Sequence, residues 1–477
     1  MNKLKRVLSG TLALALAGSI LTACGDDSSS DSKSGGDSST GSSTGGDSGS
    51  SGKKTVLKVS TFTEETEPML KTFLEKNPDF AAKYEFKIDL TATASDYISK
   101  IEATLADGKD VPDLFLADAD YSQKFAGNAG TATIEELGIK VNAADYYAYT
   151  LEFVTIDNKL MGLSHQAAPG AVFYRTDYAK EYLGIETPEA MQEAVSTWDK
   201  FIETAKKLEE KAGDKVFMIS GIDELKRVFM ANRATAWVVD GNKFSVDEAV
   251  LKKYFETTKT LFDAKAVKSG EKETQWQTPW FEGMQDGVFC YFGCTWYLHY
   301  TIKPNCLKTK TGAKDKDGKD TVVDADYKVG NGSYGKWGMI SGPQGFFWGG
   351  TWWFGAKNSS HKDAVKTIIE WFCVNDESMA AYSKSKGDFP SKKTVVNAIK
   401  DDPVFNNVFL GGQNHFKMFA EAAEKVTART MTKYDDTFNT ALGDATLEYV
   451  LNGKSYEDCL KQIKNDAKTK ISDLKFD

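Results

Sequence analysis

Histidine and proline are scarce in this chain, four and ten of 477 residues. His165, His299, His361 and His415 stand far apart in the sequence, and no His-Glu-x-x-His pair occurs, so the signature of a zinc hydrolase is missing. Positive charge is also short. The 59 Lys and Arg face 68 Asp and Glu, and a net charge of −9 argues against a polyanion such as nucleic acid as partner. There is one long apolar run, at the N-terminus, which excludes a channel built from several spanning helices. Of six cysteines, five follow Cys24, an odd number that cannot all pair within the chain. Cys290 and Cys294 could form a metal or disulfide element, but no second Cys or His pair stands near them at zinc-ligand spacing. Cys373 and Cys459 fall on apolar stripes of helical period, so these cysteines read as buried thiols.

Two further motifs fail on one residue each. Gly330 to Trp337 has the spacing of a phosphate loop, yet Trp337 stands where a magnesium-binding Ser or Thr belongs, so the stretch reads as a Gly-rich turn. The aspartates between Asp315 and Asp320 lack the Glu twelve residues after the first ligand position of a calcium loop. They read as a polar excursion over residues 309–327 that turns at Asp317-Gly318. No metal and no cofactor is expected.

The N-terminus reads as an address. Lys3, Lys5 and Arg6 precede the apolar run Val7 to Ala17, which ends in Leu21-Thr22-Ala23-Cys24-Gly25. That ending resembles the lipobox of bacterial lipoproteins. The resemblance implies cleavage of residues 1–23, diacylation of Cys24 and a lipid anchor in the membrane. Loss of the three basic residues takes the net charge from −9 to −12. Residues 25–52 hold 12 Ser, 8 Gly, 5 Asp, 2 Thr and one Lys, with no apolar side chain to offset the entropy of ordering. Residues 24–54 therefore read as a lipidated Cys and a flexible linker, with a reach of about 30 Å.

From Thr55 onward the pattern is that of an α/β protein. Strands are predicted at 55–62, at 84–90 (which alternates strictly apolar and polar) and at 111–117. Helices are predicted at 67–75 and after a cap at Ser95 or Asp96, giving the succession of a parallel sheet. Ligands of such sheets sit beyond the carboxyl ends of the strands, here at Thr63-Glu64-Glu65 and Asp118-Ala119-Asp120-Tyr121. Further on, helical stripes start at Trp198 behind Thr197 and at Val250, and a final helix is predicted over about 436–451 before Asn452-Gly453.

The second half concentrates aromatic residues beside glycines. Trp276, Trp280, Trp296, Trp348, Trp352 and Trp353 lie there, the last three within Phe346-Phe347-Trp348-Gly349-Gly350-Thr351-Trp352-Trp353. Gly neighbours suggest rings carried on loops, and indole faces beside polar groups suit the C–H faces and hydroxyls of sugars. The same rings could equally be core.

Several stretches together resemble the family-1 extracellular solute-binding proteins of ABC sugar importers. They are Pro112-Asp113-Leu114-Phe115, the run from Gly162-Leu163-Ser164-His165-Gln166 to Tyr174-Arg175-Thr176-Asp177, Leu183-Gly184, Thr197-Trp198-Asp199-Lys200-Phe201, Gly342-Pro343 and Gly349-Gly350-Thr351-Trp352. The resemblance runs from about Val56 to about Ile463; the polar excursion at 309–327 is longer than the family leads one to expect. It implies a two-lobe periplasmic-binding-protein-like α/β fold with a hinge and an interlobe ligand cleft. By that likeness residues 55–167 and 354–402 make the N-terminal lobe, and 168–353 and 403–477 the C-terminal lobe. Ligand contacts fall to Glu64, Asp120, Gln166, Trp296, Tyr297, Trp348, Trp352, Trp353 and Tyr434. No residue is catalytic.

The function implied is capture of a sugar, an oligosaccharide, by hinge closure, and its delivery to the permease subunits of an ABC importer. The protein would be a monomer, lipid-anchored to the outer face of the cytoplasmic membrane, as on a Gram-positive surface. The alternative is a surface-anchored glycoside hydrolase or lyase with an aromatic cleft. An adhesive lipoprotein without small-ligand binding is a third reading.

Overall fold

Residues 53–307, 309–314, 320–323, 327–426 and 430–476 are described by the computed structural model. The signal segment, the linker, Cys24 and the proposed turn at Asp317-Gly318 lie outside them. Eight strands build the two main sheets: β1 (Thr55–Thr61), β2 (Tyr84–Leu90), β3 (Leu114–Asp118), β4 (Leu163–Ser164), β5 (Gly170–Arg175), β6 (Cys290–Cys294), β7 (Trp337–Ile340) and β8 (Thr351–Gly355).

The first sheet has the order β2-β1-β3-β8-β4. β1 pairs in parallel with β2 on one side and β3 on the other, while β8 runs antiparallel to both β3 and β4. The parallel sheet expected from the first 120 residues is thus mixed. Its one antiparallel member, β8, comes from far along the chain, where no local periodicity could announce it, and β4 beyond it runs in the direction of β3. In the order β2-β1-β3 the chain leaves β1 in one direction and returns on the other side. A crevice therefore opens beyond the carboxyl ends of β1 and β3. The second sheet, β6-β5-β7, is antiparallel throughout, and all three strands are buried along their whole length.

The two sheets are joined by chain segments that run side by side. After β4 the chain reaches β5 in five residues, and Gln166 in that passage bridges Pro390, while Pro169 bridges Phe347 in the return passage between β7 and β8. Ser164 Oγ donates to Thr351 O at 2.9 Å, which ties the first passage to the return. Gly170, at the entry to β5, lies against the Phe346 ring so closely that a Cβ there would come within 2.4 Å of it. One core cluster spans both sheets, from Phe115 and Phe354 to Phe173 and Tyr291. Residues 54–477 form one unit.

Local signals account for many of the helices. Thr197 Oγ1 accepts from Lys200 N at 3.2 Å and starts the helix Trp198–Ala212 as expected. Asp247 caps Glu248–Asp263 in the same way, and Gly453, left-handed at φ 67°, ends Asp435–Asn452. The helix over Ala94–Asp107 starts behind Thr93 with no side-chain cap, not at Ser95 or Asp96. The helix at 435–452 is also not the last; Tyr456–Lys470 follows, burying Cys459, Ile463 and Ala467. Cys290, Cys294, Cys306, Cys373 and Cys459 are free and buried. The polar excursion contains two antiparallel strands, Thr309–Lys314 and Asp320–Val323.

Phe354 is fully buried and stacks on Phe115 with centroids 5.5 Å apart and planes 14° from parallel. Phe354→Ala is expected to destabilise the protein by about 3–5 kcal/mol, read as a lowered urea midpoint at an unchanged transition slope.

Candidate functional site

The crevice beyond β1 and β3 is the wide cavity of the molecule, about 870 Å³. One wall comes from the turns after those strands: Phe62 to Glu65, and Asp118, Asp120 and Tyr121. Asp118 Oδ1 accepts from Asp120 N at 2.9 Å and so caps the helix Ala119–Ala126 while facing the cavity. The opposite wall comes from the side of the second sheet: Trp276 and Trp348 sit on loops, Trp296 and Tyr300 on the helical turns that follow β6, and Arg227 and Asp436 on helices. A smaller recess of about 250 Å³ continues from it and shares Asp120, Arg227, Trp276 and Asp436.

Three indoles form the aromatic wall. Trp276 lies nearly parallel to Trp296, 15° between planes and 5.9 Å between centroids, and Trp348 stands across both. Trp296 Nε1 donates to Trp348 O at 2.9 Å, which fixes the corner. Trp276 is 55% exposed and sits at φ 67°, a left-handed backbone that costs a bulky side chain roughly 1–2 kcal/mol. Strain of this kind on an exposed ring at a cavity mouth points to use rather than packing. Gly350, at φ 113°, lets the backbone itself line the cavity.

The cavity is rich in carboxyl groups. Burial first, and then the charge of Asp120, push Asp118 up to about 7, against the pull of the Asp120 N–H and of Arg227. Burial and then Asp388 push Glu65 up to about 7, against His165 and the Tyr300 hydroxyl. Glu224, enclosed beneath β6 and bonded by Ser220 Oγ and Phe292 N, is raised to about 7, chiefly by burial. Arg227 reaches across from the opposite wall: Nη1 lies 3.4 Å from Asp120 Oδ1, and its guanidinium sits 4.9 Å above the Trp348 ring. Gln123 Nε2 donates to Met431 O at 2.9 Å in a second contact between the walls.

Beneath Glu65 lies a cluster that no sequence motif announced. Donor atoms of Glu65, His165 and Asp388 lie within 4.8 Å of one another, close enough to suggest a metal. The hydrogen bonding does not fit one. Trp353 Nε1 is 2.9 Å from His165 Nδ1, and an indole N–H can only donate. The imidazole proton therefore sits on Nε2, the nitrogen that faces Asp388 Oδ2 at 3.4 Å, and leaves no lone pair there for a cation. Metal-binding histidines show the opposite arrangement, donating from the outer nitrogen.

The structure sorts the sequence-derived residues. Glu64, Asp120, Gln166, Trp296 and Trp348 line the cavity. Gln166 is buried, with Nε2 donating to Asp388 Oδ2 at 3.1 Å. Trp352 and Trp353 are corrected from ligand wall to core. They lie on β8, point to opposite faces and are wholly buried, Trp352 Nε1 donating to Thr150 O at 2.8 Å. Tyr297 is also buried, packed behind Trp348 and against Phe173 and Trp280. Tyr434 packs half-buried on the second core and does not line the cavity; Asp436, two residues on, does. Glu65 and Asp118 were within reach of the strand-end rule, and Trp276 of the aromatic cluster. Arg227, inside the helix Lys226–Met230, carried no sequence signal.

Glu65, Asp118 and Glu224 hold their protons to a higher pH in the folded state than in the unfolded chain. Stability is therefore expected to fall as pH rises from about 4.5 through about 7. Urea midpoints at about pH 5 and pH 8 should differ in that direction, and Glu65→Gln should narrow the difference.

Comparison with known proteins agrees with this geometry. The profile of the family described as bacterial extracellular solute-binding protein matches residues 69–407. The chain is similar to the lactose-binding protein of Rhizobium radiobacter, at 22% identity over 397 residues, which take in 79% of this chain and 84% of that protein. Its fold is similar to that of the sugar-binding protein MalE from the phytopathogen Xanthomonas citri, with a TM-score of 0.64 at 17% identity over 87% of this chain and 97% of that one. It is similar too to the galacto-N-biose-/lacto-N-biose I-binding protein of the Bifidobacterium longum ABC transporter, solved with lacto-N-biose. There the TM-score is 0.64 at 16% identity, over 88% of this chain and 98% of that one.

Proposed function

The chain belongs to the bacterial extracellular solute-binding proteins, and we propose that its solute is a carbohydrate, an oligosaccharide handed to the permease of an ABC importer. The observation that carries this reading is the make-up of the 870 Å³ cleft, where Trp276, Trp296 and Trp348 face Glu64, Glu65, Asp118 and Asp120. Indoles offer flat apolar faces for sugar rings, and carboxylates accept from the hydroxyls at the rim of those rings. Names borne by similar proteins, lactose-binding and sugar-binding among them, point the same way. The family is one of binding proteins, and the cleft is read as a site of capture without bond breaking.

Closure follows from how the two walls are built. The carboxylates come chiefly from the side of the first sheet and the indoles from the side of the second, so a sugar reaches both sets only when the walls approach. Binding then shifts the population to the closed form. The lobe boundaries that suit this motion are 55–167 with 354–402 and 168–353 with 403–477. The first proposed crossing, at 167/168, lies in the passage from β4 to β5, whereas the second, at 353/354, falls within β8 and the third, at 402/403, lies beyond both passages. Asp120–Arg227 and Gln123–Met431 are the contacts that opening would break.

The extracellular location goes with the family. No helix among the described residues is long and apolar enough to cross a membrane. Diacylation of Cys24 would hold the body to the outer face of the cytoplasmic membrane through the Ser/Gly linker, as a monomer beside its permease.

Titration calorimetry of the protein against malto-, xylo-, fructo-, manno- and galacto-oligosaccharides tests the reading. One class is expected to bind 1:1 and be recovered intact. Trp296→Ala should weaken that binding by at least about tenfold, or about 1.4 kcal/mol. Shortened products would transfer the cleft to a hydrolase, and silence across the panel would remove carbohydrate as the ligand.

A further inference from the structure

Neutral-sugar recognition leaves the charge of the cleft unexplained. Among the described residues its lining carries five carboxyl groups, on Glu64, Glu65, Asp118, Asp120 and Asp436, against one cation, Arg227. Arg227 is already engaged, by Asp120 Oδ1 and by the Trp348 face. The deepest pair is Glu65 and, behind it, Asp388. Asp388 accepts from the uncharged Gln166 carboxamide and the Phe389 N–H, and the Nε2 side of His165 lies 3.4 Å from it. Glu65 Oε1 is fully enclosed and has no hydrogen-bond partner.

Enclosed carboxylates call for a proton or a cation. His165 is poorly placed to supply the charge. Protonating it would put an N–H on Nδ1, facing the Trp353 indole N–H at 2.9 Å. A metal ion is disfavoured by the same bond, since Nε2 keeps its hydrogen. A proton serves Glu65 only below about pH 7, so above it the remaining source of positive charge is the ligand. A sugar hydroxyl could donate to Glu65 Oε1 but would cancel no charge. An ammonium group does both, and Tyr300, Trp296 and Trp348 in the same cavity lining add negative ring faces.

We propose that the cleft selects a saccharide bearing a free amine, whose ammonium group seats against the Glu65 carboxylate beside Tyr300. The inference rests on the sugar-binding reading above and narrows it to an amino sugar. N-acetylation of the ligand would remove the charge and place an acyl group where the floor is enclosed.

The pH dependence has a definite sign. Glu65 faces Asp388, His165 and Tyr300; Asp118 faces Asp120, Arg227 and Tyr121. As pH falls below about 7, Glu65 and Asp118 take up protons while the amine of the ligand becomes more fully charged. Weaker binding at lower pH therefore reports the carboxyl groups of the protein.

The test is calorimetry on the full chain with di- to tetrasaccharides of gluco, galacto and manno configuration. Each is supplied as the free amine, the N-acetyl derivative and the plain hydroxyl sugar. The expected result is a free-amine member that binds at least about tenfold tighter than its two counterparts at about pH 7.5, an advantage that shrinks at about pH 5.5 and in high salt. Glu65→Gln, checked for an unchanged thermal unfolding profile at about pH 5.5, should cost the amine form at least about tenfold and the hydroxyl form less. Equal or tighter binding of a neutral form overturns the inference and leaves the sugar reading standing. An amine preference abolished by a chelator overturns it in favour of a metal-bridged ligand. Binding by no member of the panel overturns it and counts against the sugar reading too.

Discussion

One hydrogen bond, from the Trp353 indole to His165 Nδ1, sets the electrostatics of the cleft floor. It ties the passage between the sheets to β8, and it fixes where the imidazole proton resides. With that proton on Nε2, the ring turns an N–H edge toward Asp388 at 3.4 Å but offers neither a full positive charge nor a metal ligand. The carboxyl groups above it are then left to burial and mutual repulsion, which together raise Glu65. A different residue in place of Trp353 would free Nδ1 and let the same three side chains behave as an ion-pair or metal cluster. The chemistry of the site thus depends on a residue that does not line the cleft.

The cleft divides its labour between two frameworks. β1 and β3 deliver carboxyl groups at their carboxyl ends, and one of them, Asp118, also caps a helix there. Loops and short helices on the side of the second sheet deliver the indoles and the one engaged arginine. Neither wall alone is a sugar site, which is why the passages that join the sheets matter to function as well as to fold. Those passages are pinned by Ser164 and bridged at Gln166–Pro390 and Pro169–Phe347, while beyond them the walls meet through few polar contacts. A stiff junction beneath a sparsely bonded mouth suits rotation of one wall against the other.

Function costs stability at several points of this cleft. Trp276 holds a left-handed backbone, and Glu65 Oε1, Tyr121 Oη and His165 Nε2 are enclosed without hydrogen-bond partners. Each would be a defect in an ordinary core. Here Trp276, Glu65 and Tyr121 belong to the lining of one cavity, and His165 lies beneath it.

By itself the sequence determined the elements whose signals are local. Alternation placed β2, capping by Thr197 placed a helix, and the strand-end rule singled out the turns that hold Glu64, Glu65, Asp118 and Asp120. Composition set the acidic charge, and the ordered run of short motifs pointed to the two-lobe fold. Tertiary structure alone decided what distant segments do on meeting. Trp352 and Trp353, flanked by glycines, read equally well as a ligand wall or as core, and became core because β8 is inserted between β3 and β4 and covered on both faces. The pairings of His165 with Asp388 and of Asp120 with Arg227 join residues from separate parts of the chain, and no periodicity or spacing connects them. Tyr434, one residue before the helix at 435–452, packs on the core while Asp436 in its first turn lines the cleft, and the sequence does not say which side of that helix start faces the cavity.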